Sequence, residues 1–205
     1  MDNLKKVCAV IDMQGYFLGK KFYPRELAIC NEEVDISLEI DVSMDRNDIT
    51  TVRDLVNYRF QKYKIHGIPL ESIRGKLGLK VQKNENLKFI INNLYNKVKT
   101  SEKDTLICKS PQVSKILKKL EIPHIDLSHV RIEEETCPKL IDLDMSIGKG
   151  LVWFCPLHTC LSDNQNERRK MRCALRKSRY IWVWIHGKIA VNEVFEALRA
   201  LDYNI

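Results

Sequence analysis

Lys6-Val7-Cys8-Ala9-Val10-Ile11-Asp12 is a short apolar run that ends in a carboxylate. Its length and β-branched content fit a buried strand. Gly15 follows and is expected to supply a turn. A second strand is expected from Phe22 to Cys30, entered through Pro24. Residues 34–42, Val-Asp-Ile-Ser-Leu-Glu-Ile-Asp-Val, alternate strictly between apolar and polar, the pattern of a strand with one wet face. Three strands in succession, joined by short connections, predict an antiparallel meander.

Beyond the meander the period changes. Asn47 to Gln61 is mixed and polar, yet it sets Val52, Leu55, Val56 and Phe60 at helical spacing before His66-Gly67-Ile68-Pro69 breaks it. From Asn84, Leu87, Ile90, Ile91, Leu94, Tyr95 and Val98 recur at intervals of three and four, which predicts an amphipathic helix. Thr105 to Cys108 reads as a short buried strand. Ser110-Pro111 opens a helix with proline in its first position and Val113, Ile116, Leu117 and Leu120 on one side. Ile122 to Leu127 reads as another short strand. Helix and strand alternating after an antiparallel start predict an α/β fold with parallel pairing in its second half. Residues 131–150 are acidic and irregular, and Val191 to Leu201 reads as a closing amphipathic helix. No repeat or linker divides the chain, so residues 1–205 are read as one domain.

Lysine and arginine number 34 against 27 aspartates and glutamates, a formal charge of +7. Such a balance permits binding to a phosphate backbone. No apolar run reaches the ~18 residues that a membrane span needs. The N-terminal MDNLKKVCAVIDMQG has no apolar stretch of signal length, so a cytoplasmic or nuclear location is expected, not secretion. In those compartments seven cysteines read as metal ligands or reduced thiols, not as disulfides.

Three metal-ligating side chains crowd into Phe154-Cys155-Pro156-Leu157-His158-Thr159-Cys160, with Cys173 a short way on. Cys155 and His158 lie about one turn apart, close enough to share an ion. Zn²⁺ wants four such ligands in a tetrahedron. Candidates for the other two are Cys160, Cys173, Cys137 and Glu26. The plainer alternative is a set of buried thiols beside a hydrogen-bonded histidine, since cysteine is often buried as a small apolar residue.

Asp12 raises a different chemistry. RNase H-like nucleases place an acid at the end of the first strand to hold a catalytic Mg²⁺, because phosphoryl transfer needs metals bridging the attacking and leaving oxygens. In the DEDD-type 3′–5′ exonucleases that strand carries Asp-x-Glu; here it reads Asp12-Met13-Gln14. The stretch where the middle acid belongs, residues 105–120, has no Asp or Glu. The last motif, His-x4-Asp, is matched by His158 and Asp163. A two-metal mechanism is therefore not expected, although a live nuclease using Asp12, His158 and Asp163 is the competing reading. As a strand-end residue, Asp12 has the simpler role of capping a turn.

The order of these pieces resembles the MAEL domain of the Maelstrom family, an RNase H-like fold related to DEDDh exonucleases. Phe22-Tyr23-Pro24-Arg25-Glu26-Leu27 resembles that domain's Pro-x-Glu-Ile strand, and Ile107-Cys108-Lys109-Ser110 its Cys-Lys-Ser strand end. Cys155-Pro156-Leu157-His158 resembles its Cys-x-x-His, and Cys173-Ala174-Leu175 its closing Cys-Ala-Leu. The likeness spans roughly residues 6–200. It implies a mixed sheet with flanking helices, stabilised by a zinc ion on Glu26, Cys155, His158 and Cys173. It also implies RNA as partner, with proteins of small-RNA (piRNA) or transposon silencing, and loss of the classical nuclease activity, leaving at most a weak or unconventional ribonuclease. Two departures stand out. Cys173 follows His158 by fifteen positions, where the family's closing cysteine is near its histidine, which keeps Cys160 in play. The HMG box that usually precedes the domain has no counterpart here.

The run 168–179 carries Arg168, Arg169, Lys170, Arg172, Arg176, Lys177 and Arg179. On a helix these cover more than one face, the pattern of a solvated surface. Beside Tyr180, Trp182 and Trp184 they are alternatively a nucleic-acid-binding groove with stacking platforms. Ile181-Trp182-Val183-Trp184-Ile185 is apolar enough that at least one tryptophan is expected in the core. A third reading is a protein-interaction scaffold without affinity for nucleic acid.

Overall fold

The central strand β1 runs over Val7–Leu18, 12 residues, well past the end of the apolar run at Asp12. A computed structural model of the chain describes residues 2–41, 49–65, 68, 82–128, 131–132, 135–138 and 173–187. A single helical turn, α1 (Asp2–Lys5), precedes β1. Strands β2 (Lys21–Cys30) and β3 (Asp35–Asp41) complete the antiparallel meander. The helix α2 (Val52–Phe60) ends in a π-helical turn over Gln61–Ile65. A two-residue strand β4 (Gln82–Lys83) and a 3₁₀ turn lead into α3 (Leu87–Val98). Then come β5 (Thr105–Cys108), α4 (Pro111–Lys119) and β6 (His124–Asp126). A small hairpin pairs β7 (Arg131–Ile132) with β8 (Glu135–Thr136). Residues 174–187 form a further helix, α5.

The strands make one mixed sheet in the order β4-β3-β2-β1-β5-β6. The meander is antiparallel, and β5 and β6 join it in parallel, as the helix–strand alternation requires. β1 sits in the middle with both faces covered, which is why its first half reads as a continuous apolar run. Ala9, Ile11 and Met13 face α3 and α4, packing with Leu27, Ile29, Ile91, Leu106 and Leu117. Val7 and Val10 face the other way, against Ile107, Ile181, Trp182 and Ile185. Helices thus flank both sides of the sheet. Trp182 is core, as expected of at least one tryptophan in its segment. Among the described residues no helix is long and apolar enough to cross a membrane. The expected helix at 191–201 lies outside the described residues.

Gly15 is not the turn. The chain reverses at Gly19, whose φ of 55° is in the left-handed region. Gly15 instead marks a β-bulge: Gln14 pairs with Glu26 and Gly15 with Pro24, so Arg25 is the inserted residue. The bulge brings the backbone of β2 over Gly15 so closely that a Cβ there would lie 2.0 Å from the Tyr23 carbonyl oxygen. Arg25 is fully buried and forms an ion pair of 3.0 Å with the equally buried Glu39, and also donates to the Ile40 carbonyl. Burial pulls the Arg25 guanidinium below its ordinary value, and the Glu39 carboxylate opposes that. Period-two patterning cannot anticipate a bulge, because the extra residue breaks the period that signals the strand.

Gly15→Ala is expected to lower the unfolding free energy by about 2–3 kcal/mol, the cost of forcing a group into filled space. Gly19→Ala, where nothing lies within 4 Å of the new Cβ, should cost about 1 kcal/mol for its left-handed backbone alone. Urea denaturation of the two variants checks the order; an equal loss would deny the close approach at Gly15.

Candidate functional site

The register of β1 against β5 sets the site. Val10 pairs with Ile107, and β5 stops one residue later at Cys108. Asp12 therefore stands on β1 level with the end of its parallel neighbour, a common place for ligand sites in α/β sheets. Its side chain is wholly buried on the side covered by α5. There Lys177 Nζ donates to Asp12 Oδ1 at 2.8 Å and to the Lys109 carbonyl at 3.3 Å. Gln14 Nε2 donates to the other carboxylate oxygen at 3.2 Å. Burial pushes the Asp12 carboxyl above its ordinary value of 3.8, and the Lys177 ammonium partly opposes this. Lys109 Nζ is held by the carbonyls of Cys137, at 2.6 Å, and Pro138.

Beside this pair a cleft of about 280 Å³ opens. Lys109, Lys177, Gln14 and Gln112 supply its polar wall, and the tilted rings of Phe17 and Phe22, 4.7 Å apart, its apolar one. Among the described residues no carboxylate side chain lines it. α4 starts at its edge, with Ser110 in the N-cap position and Pro111 first in the helix. Two amines, a helix start and an aromatic wall suit an anionic ligand with a flat apolar part.

A second constellation lies on the same face of the sheet. Glu26, fully buried on β2, accepts from the Ala174 N–H at 2.9 Å, from the Cys173 thiol at 3.3 Å and from the Ser37 hydroxyl at 3.2 Å. The carboxylate thus satisfies the first N–H of α5 and complements the positive end of that helix. It also joins two of the four expected metal ligands across 147 positions of chain. The other two, Cys155 and His158, lie outside the described residues, as do Cys160 and Asp163. Cys137 is buried in a different apolar cluster from Cys173. Among the described residues no group of three or more metal-ligating side chains is assembled.

Of the basic run, Arg168, Arg169, Lys170 and Arg172 lie outside the described residues. Lys177 is turned onto Asp12, with only 18% of its side chain exposed. Arg176 lies over the Tyr180 ring, its Cζ 5.5 Å from the centroid. Arg179 pairs with Asp35 on β3. The remaining described cysteines are buried free thiols: burial pushes the Cys8 thiol up to about 11 and those of Cys30 and Cys108 up to about 12. Lys109 and the cleft were not singled out from the sequence. The one available signal was the Cys-Lys-Ser strand end, and it says nothing of a partner 68 positions away.

The fold and site define a mixed α/β protein with a six-stranded sheet and a cation-lined cleft at the end of its parallel strands. No family model, curated protein or solved structure matches the chain.

Removing Lys177 leaves a buried carboxylate without its cation, which costs about 3–5 kcal/mol when the charge stays. A carboxyl whose folded value is raised binds its proton more tightly in the native state, so stability falls as pH rises from about 4 through that raised value. Lys177→Met should therefore be strongly destabilising at pH 7.5 and much less so at pH 4.5. Adding Asp12→Asn should recover most of the loss at pH 7.5. Guanidinium melts at both pH values test this; a loss independent of pH would mean that Lys177 acts through packing alone.

Proposed function

We propose that the chain is a non-catalytic, RNase H-like domain, stabilised by zinc, that binds single-stranded RNA. The observation that carries the reading is Lys177 on Asp12. In the nuclease the strand-end acid holds a divalent cation; here a side-chain ammonium meets it, and the cleft beside it offers amides and amines. A site so arranged attracts phosphate and has no described carboxylate to add to Asp12 for gripping two metal ions. The strand order supports the fold assignment, with a meander leading into parallel strands and helices on both faces. On the Maelstrom resemblance, such a domain would serve small-RNA or transposon silencing.

The zinc proposal rests on Glu26 and Cys173. Oxygen and thiolate ligands at about 2.0 and 2.3 Å from one tetrahedral zinc lie about 3.5 Å apart. The two side chains are 3.3 Å apart, so they fit a shared ion once the thiol proton is displaced. Cys155 and His158 would complete the set, with Cys160 as the substitute. The ion's contribution would be structural, fastening β2 to the start of α5.

Purified protein is expected to carry about one zinc per chain by elemental analysis. Cys173→Ser and Glu26→Gln should each lose it and lower the melting temperature, while metal-free wild type with no such sensitivity would sink the zinc. For RNA, the logarithm of the affinity for a fluorescent oligouridylate should fall linearly with the logarithm of salt, by about 0.7 per phosphate contacted. Gln112→Glu, which puts a negative charge in the cleft, should weaken it about tenfold, or about 1.4 kcal/mol. Mg²⁺-dependent degradation of the oligonucleotide, abolished by Asp12→Ala, would overturn the non-catalytic reading.

A further inference from the structure

Helix α2 is fastened to the sheet by the wrong side. Asp54 and Tyr58 face inward. Gln61, just past its end, accepts from the Phe17 N–H at 2.7 Å and donates to the Phe17 carbonyl at 2.9 Å, as a strand partner would. Asp54 accepts from the Gly19 N–H at 3.2 Å, and Tyr58 stacks on the buried Tyr16. Leu55 is half-buried, but the other large apolar residues of the helix face outward. Val52 is 80% exposed, Val56 59% and Phe60 56%, and Tyr63 in the following π turn is 51% exposed. No residue of α2 is buried.

These residues form an ordered stripe. At 100° per residue, Val52, Val56 and Phe60 fall within an arc of about 80°. Arg59 lies about 20° beyond one edge of that arc and Arg53 about 20° beyond the other. Both arginines are exposed. The helix's one acid, Asp54, is turned inward to Gly19 and Thr51. The outer face is therefore an apolar seam with a cation on each rim, the pattern that one partner of a two-helix seam presents to an acidic mate.

We propose that the outer face of α2 docks an acidic amphipathic helix of a partner protein. The partner would lay apolar residues at spacings of three and four along Val52, Val56 and Phe60 and set carboxylates against Arg53 and Arg59. A second copy of this chain fits less well, because a self-complementary contact sets arginine rims against each other. RNA fits less well too, because two of the three seam residues are valines, which have no π face for a base. The proposal stands independently of zinc, and none of its seam or rim residues lines the cleft.

The test uses two labelled three-heptad peptides, with leucine at the seam positions and either glutamate or lysine on both flanks, titrated into the full chain by fluorescence anisotropy. The glutamate peptide should bind at least about tenfold more tightly than the lysine peptide. Val56→Ser with Phe60→Ser should abolish that binding, and Arg53→Glu with Arg59→Glu should reverse the preference. All four positions are exposed, so the unfolding midpoint of each variant should stay near that of wild type, which keeps misfolding apart from lost docking. No binding of the glutamate peptide, or binding indifferent to both variants, overturns the proposal. So does loss of oligouridylate binding in the serine variant, which would make the seam an RNA surface. A concentration-dependent dimer in sedimentation, removed by the same substitutions, would assign the seam to self-association and overturn it as well.

Discussion

Two carboxylates buried under one helix hold the far side of this protein together. Asp12 on β1 and Glu26 on β2 both point toward α5, where an apolar layer covers them. A charge removed from water must be met by an opposite charge or by hydrogen-bond donors. Asp12 is met by Lys177 and Glu26 by the start of the helix itself. The helix position, its rotation about its axis and its starting residue all follow from satisfying these two groups. Arg179 on Asp35 adds a third tether, so one helix ties all three strands of the meander.

This arrangement changes the meaning of the basic segment. Read alone, Arg176 and Lys177 look like cations offered to a polyanion. In place, Lys177 is the counter-ion of a buried acid and Arg176 covers an aromatic ring. The cationic character reaches solvent through the cleft instead, where Lys177 and Lys109 form part of the wall. A single ammonium thus neutralises the buried Asp12 and forms part of the wall of the neighbouring cleft. Glu26 likewise serves twice, capping α5 through the Ala174 N–H and accepting from the Cys173 thiol.

Much of the fold was legible because its signals are local. Strict alternation from Val34 to Val42 marks a strand with one wet face, and β3 covers Asp35–Asp41. The spacing of Ile90, Ile91, Leu94 and Val98 marks the buried side of α3, and Ser110-Pro111 marks the start of α4. Gly15 was misread because a glycine serves a turn and a close approach equally well, and only the presence of Tyr23 over it decides between them. The helical spacing of Val52, Val56 and Phe60 was real, yet periodicity locates an apolar stripe without saying whether anything covers it.

The residues alone determined the main strands and helices and the antiparallel start with its parallel continuation, but they put Asp12 at a strand end, whereas it lies within β1 (Val7–Leu18). The elements follow from side-chain periodicity and backbone preference within a dozen residues. Only the tertiary structure decided what that acid meets. Asp12 and Lys177 are 165 positions apart, and Glu26 and Cys173 are 147 apart. No local pattern encodes such pairs, because they are selected by the cost of burying an unpaired charge, and that cost exists only once the helix has closed over the sheet.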